Sequence, residues 1–353
     1  MTCFSCFFLS SWGTSSTPFF SLTREELSMS LTSHSKVYKP FKYPWAVEYA
    51  VQSEKAHWGE WEAKLQDDVA QWQSGKLTDK EKNHITQILR LFTQSDVAVG
   101  TNYLEHYIQK FKNNEIRAML TSFANREFVH QRSYALLNDT LGLPEEEYSA
   151  FLDYKQMKEK IDFMTDIDTH SVTGLGKAIA RSVMNEGMSL FSAFVMLLNY
   201  QRYGKMKGMC EIVEWSVRDE TMHCEGMVKL FREYCKEHPR IVNDEFKKDI
   251  YQMFRDGVAL EDAVVDTSFE MGAVEGLSAA DVKQYIRYIA DRRLIQLGLK
   301  GNFKVKENPL EWLDWIVGGD TLKNFFEGVV TDYNASGMVG DWGWSTTKER
   351  IAA

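Results

Sequence analysis

Proline is scarce in this chain. Pro18, Pro40, Pro44, Pro144, Pro239 and Pro309 are the whole set in 353 residues. Residues 45–143 and 145–238 are thus two long proline-free stretches, which suit long helices because an interior proline costs ~3 kcal/mol. Cysteine is equally sparse. Cys3, Cys6, Cys210, Cys224 and Cys235 do not make a disulfide framework for a chain of this length, and Cys3/Cys6 is a lone C-x-x-C without a second pair. No apolar run approaches the ~18–20 residues of a membrane-spanning helix. Basic charge is not in excess either: the net charge of −9 argues against non-specific nucleic-acid binding. The N-terminal MTCFSCFFLSSWGTSSTPFFSL has no positive charge before Arg24 and is interrupted by Gly13 and Pro18, unlike a secretory signal, and it is too poor in arginine for a transit peptide. Residues 1–35 are expected to be a disordered extension, with Met29 as an alternative start, and the default compartment is the cytoplasm.

What is present is helical periodicity. The composition, 44% apolar and 26% charged, is that of an ordinary globular protein. Period 3.6 dominates, and it predicts helices near 79–110, 113–141, 174–201, 208–236, 243–271 and 278–298, with a shorter one after Pro44. Connections such as LGLPEE at 141–146 are short and polar, and no composition break divides the span 36–317. From about residue 318 the chain turns rich in Gly, Ser and Asp, so 318–353 is expected to be a partly flexible tail.

Four helices carry the informative pattern. Ile85, Leu89, Phe92, Asp96, Val99 and Tyr103 recur in steps of four and three. So do Ile116, Leu120, Phe123, Glu127, His130, Tyr134 and Leu137. The third stripe holds Ile179, Val183, Glu186, Leu190 and Leu197, and the fourth Val213, Val217, Glu220, His223, Met227 and Leu230. Such spacing stacks side chains on one helix face. Each face is apolar except near its middle, where an acid or an acid–histidine pair intrudes.

E-x-x-H alone is a weak signal, and it occurs four times. Glu54/His57 lies in a charged context and reads as a solvated face. Glu81/His84 belongs with Thr78 to a T-x-x-E capping box. Glu127/His130 and Glu220/His223 lie on apolar stripes, where a carboxylate needs a strong partner. Salt bridges across helices would satisfy one such stripe, but the order is organised. Asp96 precedes Glu127 by 31 residues and Glu186 precedes Glu220 by 34, so an acid is followed by an acid-x-x-His, twice. Two E-x-x-H motifs plus one carboxylate from each of two further helices is the ligand pattern of a di-iron or di-manganese carboxylate bundle. Hard oxygen donors with one imidazole per metal suit iron or manganese better than zinc.

With NREFVHQRSY (125–134), RDETMH (218–223), MNEGMSLF (184–191) and the helix carrying Asp96, the chain resembles the small, radical-bearing subunit of class I ribonucleotide reductase over about residues 40–335. The resemblance implies an all-α, ferritin-like bundle with additional helices and a dinuclear metal site, with iron the first expectation and manganese or a mixed pair the alternatives. It implies ligands Asp96, Glu127, His130, Glu186, Glu220 and His223, and a radical on Tyr134. Trp58 and Asp219 resemble the start of a radical path through His130, and Tyr333 resembles a tail relay to the large subunit. A homodimer, dioxygen, an electron donor and the large subunit are the implied partners, with neither nucleic acid nor membrane. Ribonucleotides would be reduced on that large subunit, consistent with the lack of a G-x-x-x-x-G-K-[ST] loop here. Leu190 and Ser216 stand where relatives often have bulkier residues around the radical, Phe194 keeps aromatic character, and STTKERIAA replaces an acidic C-terminus. Two competing readings are a ferritin-type iron-binding protein, which is normally shorter, and a di-metal oxidase or desaturase, which needs an apolar tunnel.

Overall fold

The computed structural model describes residues 30–313, and in that span the 3.6-residue periodicity is realised as helix after helix. These are α1 (Pro44–Lys55), α2 (Gln66–Gln73), α3 (Asp79–Thr101), α4 (Asn114–Leu141) and α5 (Lys155–Thr165). They continue as α6 (Val172–Met184), α7 (Leu190–Leu198), α8 (Lys207–Glu237), α9 (Asp244–Ser268) and α10 (Ala279–Gln296). Short helical turns lie between them. Among the described residues the only extended pairing is a single bridge between Val274 and Leu277.

The helix ends follow from local chemistry. Thr78 and Glu81 satisfy each other's backbone N–H groups in the capping box that starts α3. Asn113 accepts from the N–H groups of Glu115 and Ile116 to open α4. At its far end Gly142 takes φ +73°, and the Leu143 N–H returns to the Asn138 carbonyl at 3.0 Å, which closes the helix. Proline at the first turn starts α1.

Two expected helices are not uniform. The helix expected over 79–110 passes into a π-helical segment, Asn102–Tyr107, and the one over 174–201 is divided by another, Asn185–Ser189. A π turn inserts one residue and rotates the next stretch of helix about its axis, and such turns gather at functional sites. Buried cations hold the second segment: Arg293 Nε donates to the Gly187 carbonyl at 2.8 Å, and Lys160 Nζ to that of Ser189 at 3.2 Å. A Cβ at Gly187 would lie 2.5 Å from Arg293 Nε, so only glycine fits there.

The bundle centre is made by α3, α4, α8 and the α6–α7 pair. Helix α4 packs on α3 and α1, and α8 packs on α6, α7 and α4. Their stripes are fully buried, including Ile85, Leu120, Phe123, Ile179, Val213 and Leu230. Helix α5 was not among the expected helices. The extension expected over residues 1–35 also ends sooner than its composition implies, because residues 30–35 dock on the bundle. Leu31 is buried, its N–H donates to Glu237 and its carbonyl accepts from Asn113. The rest of that extension, and the tail expected over 318–353, lie outside the described residues.

Candidate metal centre

Six of the expected residues meet between these helices. Asp96 comes from α3, Glu127 and His130 from α4, Glu186 from the π segment Asn185–Ser189, and Glu220 and His223 from α8. All are 0–1% exposed, a burial at which unpaired carboxylates are not tolerated. They form two groups joined at Glu127. One is Asp96, Glu127 and His130; the other is Glu127, Glu186, Glu220 and His223; within each the donor atoms lie within 4.8 Å of one another.

Both imidazoles aim Nδ1 inward. His130 Nδ1 lies 3.1 Å from Glu220 Oε1, and His223 Nδ1 lies 3.0 Å from Glu127 Oε1 and 3.5 Å from Glu186 Oε2. Neither oxygen of Glu127 or Glu220 receives a hydrogen bond, nor does Asp96 Oδ2. Four buried carboxylates with so many free lone pairs carry more negative charge than two histidines can neutralise. Burial pushes Asp96 well above the usual carboxylate range, and the neighbouring charges of Glu127 and Glu220 add to it. Burial acts against a charged His130, but the surrounding carboxylates of Asp219, Glu127 and Glu220 outweigh it and hold the imidazole well above its usual value. Glu220, Glu127 and Glu186 do the same to His223. The donor set fits a pair of hard divalent cations, one imidazole each and a shared carboxylate: a di-metal carboxylate centre.

Outside the cluster, one carboxylate oxygen gathers three donors. Asp219 Oδ2 accepts from Trp58 Nε1 at 2.8 Å and Arg126 Nε at 3.0 Å, and lies 3.2 Å from His130 Nε2. The indole is thereby linked through one oxygen to the inner imidazole. Burial alone would raise the Asp219 pKa, but His130, Arg126 and Arg218 hold it well below the ordinary range. Arg126 also stands over the Trp58 ring at 5.3 Å, and Trp58 packs on His130 at 5.8 Å and Trp215 at 4.9 Å.

Tyr134 is fully buried one turn beyond His130. Its hydroxyl donates to Ser216 Oγ at 3.0 Å, and its ring packs on Phe92 at 4.5 Å, which in turn touches Phe194 at 5.1 Å. Burial foremost, then the charge of Asp96, keeps the phenol neutral far above its ordinary pKa. Leu190 is buried as well. Tyr333 lies outside the described residues.

Sequence reasoning missed three partners: Arg126, Tyr103 as a hydrogen-bond donor, and Ser182. Tyr103 Oη donates to Glu186 Oε2 at 2.5 Å, and Ser182 Oγ donates to Glu186 Oε1. Tyr103 was legible only as one more member of an apolar stripe. Arg126 adjoins Glu127 in sequence but faces away from it, so only the approach of α8 and Trp58 reveals its partner.

Comparison with known proteins gives a consistent result. The protein-family model described as ribonucleotide reductase, small chain, matches residues 35–309. A probable ribonucleoside-diphosphate reductase small subunit, 048L, of invertebrate iridescent virus 3 is 39% identical, across 89% of this chain and 88% of its own. The ribonucleoside-diphosphate reductase subunit beta of Chlamydia pneumoniae is 30% identical, across 84% of this chain and 90% of its own. Among solved structures, the R2 subunit from Clostridium botulinum has the same fold with TM-score 0.76 at 23% identity, covering 82% of this chain and 94% of that one. The dimanganese(II) NrdF of Streptococcus sanguinis aligns with TM-score 0.71 at 18% identity, over 81% and 99%.

Proposed function

This chain belongs to the ribonucleotide reductase small-chain family and acts as a small subunit of ribonucleoside-diphosphate reductase; from that premise we propose that it holds a radical on Tyr134 beside a metal pair and passes the oxidising equivalent to a large subunit. The ligands in this reading are Asp96, Glu127, His130, Glu186, Glu220 and His223. The metal pair, iron in the first instance with manganese or a mixed pair as alternatives, supplies the dioxygen chemistry and oxidising power when bound.

Every other part of the reading belongs to the chain's own residues. Tyr134, kept neutral by burial, would lose its electron and its hydroxyl proton together to the oxidant that the metal pair and dioxygen supply, and Phe92 and Phe194 keep water from the ring. Ser216 Oγ orients the hydroxyl. Asp219 holds the Trp58 indole proton on one side and the His130 Nε2 edge on the other. A carboxylate on a ligating imidazole fixes its tautomer and ring orientation. Tyr333 then relays the equivalent toward a cysteine of the large subunit, where ribonucleotides become 2′-deoxyribonucleotides. A homodimer, an external electron donor and a cytoplasmic setting complete the proposal; no described helix is long and apolar enough to cross a membrane. Family membership sets aside the iron-storage and lipid-oxidase readings.

The observation that carries the radical reading is the continuous contact Trp58–Asp219–His130 leading to the cluster beside a buried phenol. Metal analysis with electron paramagnetic resonance, after the reduced protein meets oxygen, tests it. A tyrosyl signal is expected, and Tyr134→Phe is expected to abolish it while retaining the metal. A signal that survives in Tyr134→Phe places the radical elsewhere.

A further inference from the structure

The six cluster residues are not held alike. Glu127 and Glu220 face only the Nδ1 atoms of His223 and His130, at 3.0 and 3.1 Å, and neither they nor Asp96 Oδ2 receives a hydrogen bond, whereas both oxygens of Glu186 are occupied by buried hydroxyls. Tyr103 Oη reaches Oε2 at 2.5 Å and Ser182 Oγ reaches Oε1. Short hydroxyl-to-carboxylate bonds of this kind are strong and directional. Two of them fix the plane of one carboxylate that the cluster shares with His223.

The backbone is shaped to make this contact. Tyr103 is the second residue of the π segment Asn102–Tyr107, and Glu186 is the second residue of the π segment Asn185–Ser189. The first residue of each segment is an asparagine, and both asparagines donate to the same carbonyl. Asn102 Nδ2 reaches Met164 O at 3.0 Å and Asn185 Nδ2 reaches it at 3.3 Å. The two irregular turns are thus tied to one point on α5, which sets Tyr103 opposite Glu186. The Tyr103 ring is further seated edge-on against His223 at 6.1 Å, Phe123 at 6.2 Å and Tyr107 at 5.7 Å.

We infer that Tyr103 is a positioning residue for Glu186, and that through it the metal position of the Glu127–Glu186–Glu220–His223 group is tuned separately from that of the Asp96–Glu127–His130 group. This inference rests on the cluster binding two metal ions. The Tyr103 hydroxyl bonds to Glu186 and its ring packs on His223, Phe123 and Tyr107, so its removal should act first on the position that Glu186 and His223 serve. Tyr103→Phe keeps the ring contacts and deletes the donor; Ser182→Ala deletes its counterpart on the other oxygen.

Titration of the full-length protein with Mn(II) alone, following free Mn(II) by electron paramagnetic resonance, resolves the binding steps. In Tyr103→Phe one dissociation constant should weaken ~10–100-fold, the range for lost support of a metal ligand, while the other stays where it is. Ser182→Ala should weaken the same step. In a Glu186→Gln background, Tyr103→Phe should have no further effect, because the pair acts as one unit. Equal weakening of both steps, no change in either, or additivity with Glu186→Gln overturns the inference and leaves the metal site standing. Absence of Mn(II) binding by the parent protein overturns both.

Discussion

Three E-x-x-H turns are buried among the described residues, and two of them, in α3 and α4, behave in opposite ways. In α3, Glu81 caps its own helix and pairs with Lys205 at 2.6 Å, while His84 sits between Tyr200, 2.9 Å from its Nδ1, and the Phe269 ring at 4.4 Å. With little charge facing it, burial drives the His84 pKa down to about 3. In α4, Glu127 and His130 have the same spacing and burial, but three more helices deliver Asp96, Glu186 and Glu220 against them. There the carboxylates outweigh burial and the imidazole pKa rises. The motif places two side chains on one face. The neighbouring helices decide whether that face is a neutral core contact or a metal centre.

The largest effect should come from changing Glu127, the carboxylate common to both groups. Glu127→Gln is expected to weaken metal binding by at least ~10-fold and to lower the radical yield with it. Glu81→Gln should leave metal content unchanged, keep the capping oxygen and cost only the ion pair with Lys205, on the order of 1 kcal/mol. Metal analysis beside thermal unfolding separates the two, and equal metal loss in both variants would break the contrast. A second prediction concerns the imidazole partners: Asp219 lies on His130 Nε2, whereas the neutral Tyr200 hydroxyl lies on His84 Nδ1. Asp219→Asn should still form the tyrosyl radical, yet reduce ribonucleotides with the large subunit at least ~10-fold more slowly. Unchanged turnover would remove Asp219 from the path.

A third prediction concerns stability alone, not metal or turnover. His84 binds a proton at about pH 3 in the folded chain and near its ordinary 6.5 when unfolded. Its contribution is therefore complete above 6.5 and is lost as pH falls toward 3, by up to ~1.4 kcal/mol per pH unit, since the unfolded chain takes the proton first. Denaturant unfolding between neutral pH and mild acid should show a shallower loss in His84→Gln than in the parent. Identical slopes would mean that His84 is charged in the fold.

Much of the centre was legible because helix geometry is local. Steps of three and four on an apolar stripe mark Asp96, Glu127, His130, Glu186, Glu220 and His223 without knowledge of the neighbours, and Thr78–Glu81 explains itself within one turn. The π segments were not legible, because NYLEHY and NEGMS keep the spacing of their stripes and the single Gly187 does not by itself mark an irregular turn; the irregular hydrogen bonding is held by Asn102, Asn185, Arg293 and Lys160 from packing. Helix α5, Lys155–Thr165, was not legible either, although it supplies the Met164 carbonyl on which both π segments are fastened.

By itself, then, the sequence determined the long helices of the bundle, their buried faces and the residue types that a metal pair requires, since each depends on spacing along one chain segment. Tertiary structure alone decided that Arg126 and Trp58 share an oxygen of Asp219, that Tyr103 grips Glu186, and that Tyr134 leans on Ser216. Those pairings join residues 82 to 161 positions apart or carried on separate helices, and they depend on how each helix is rotated about its axis when the bundle packs.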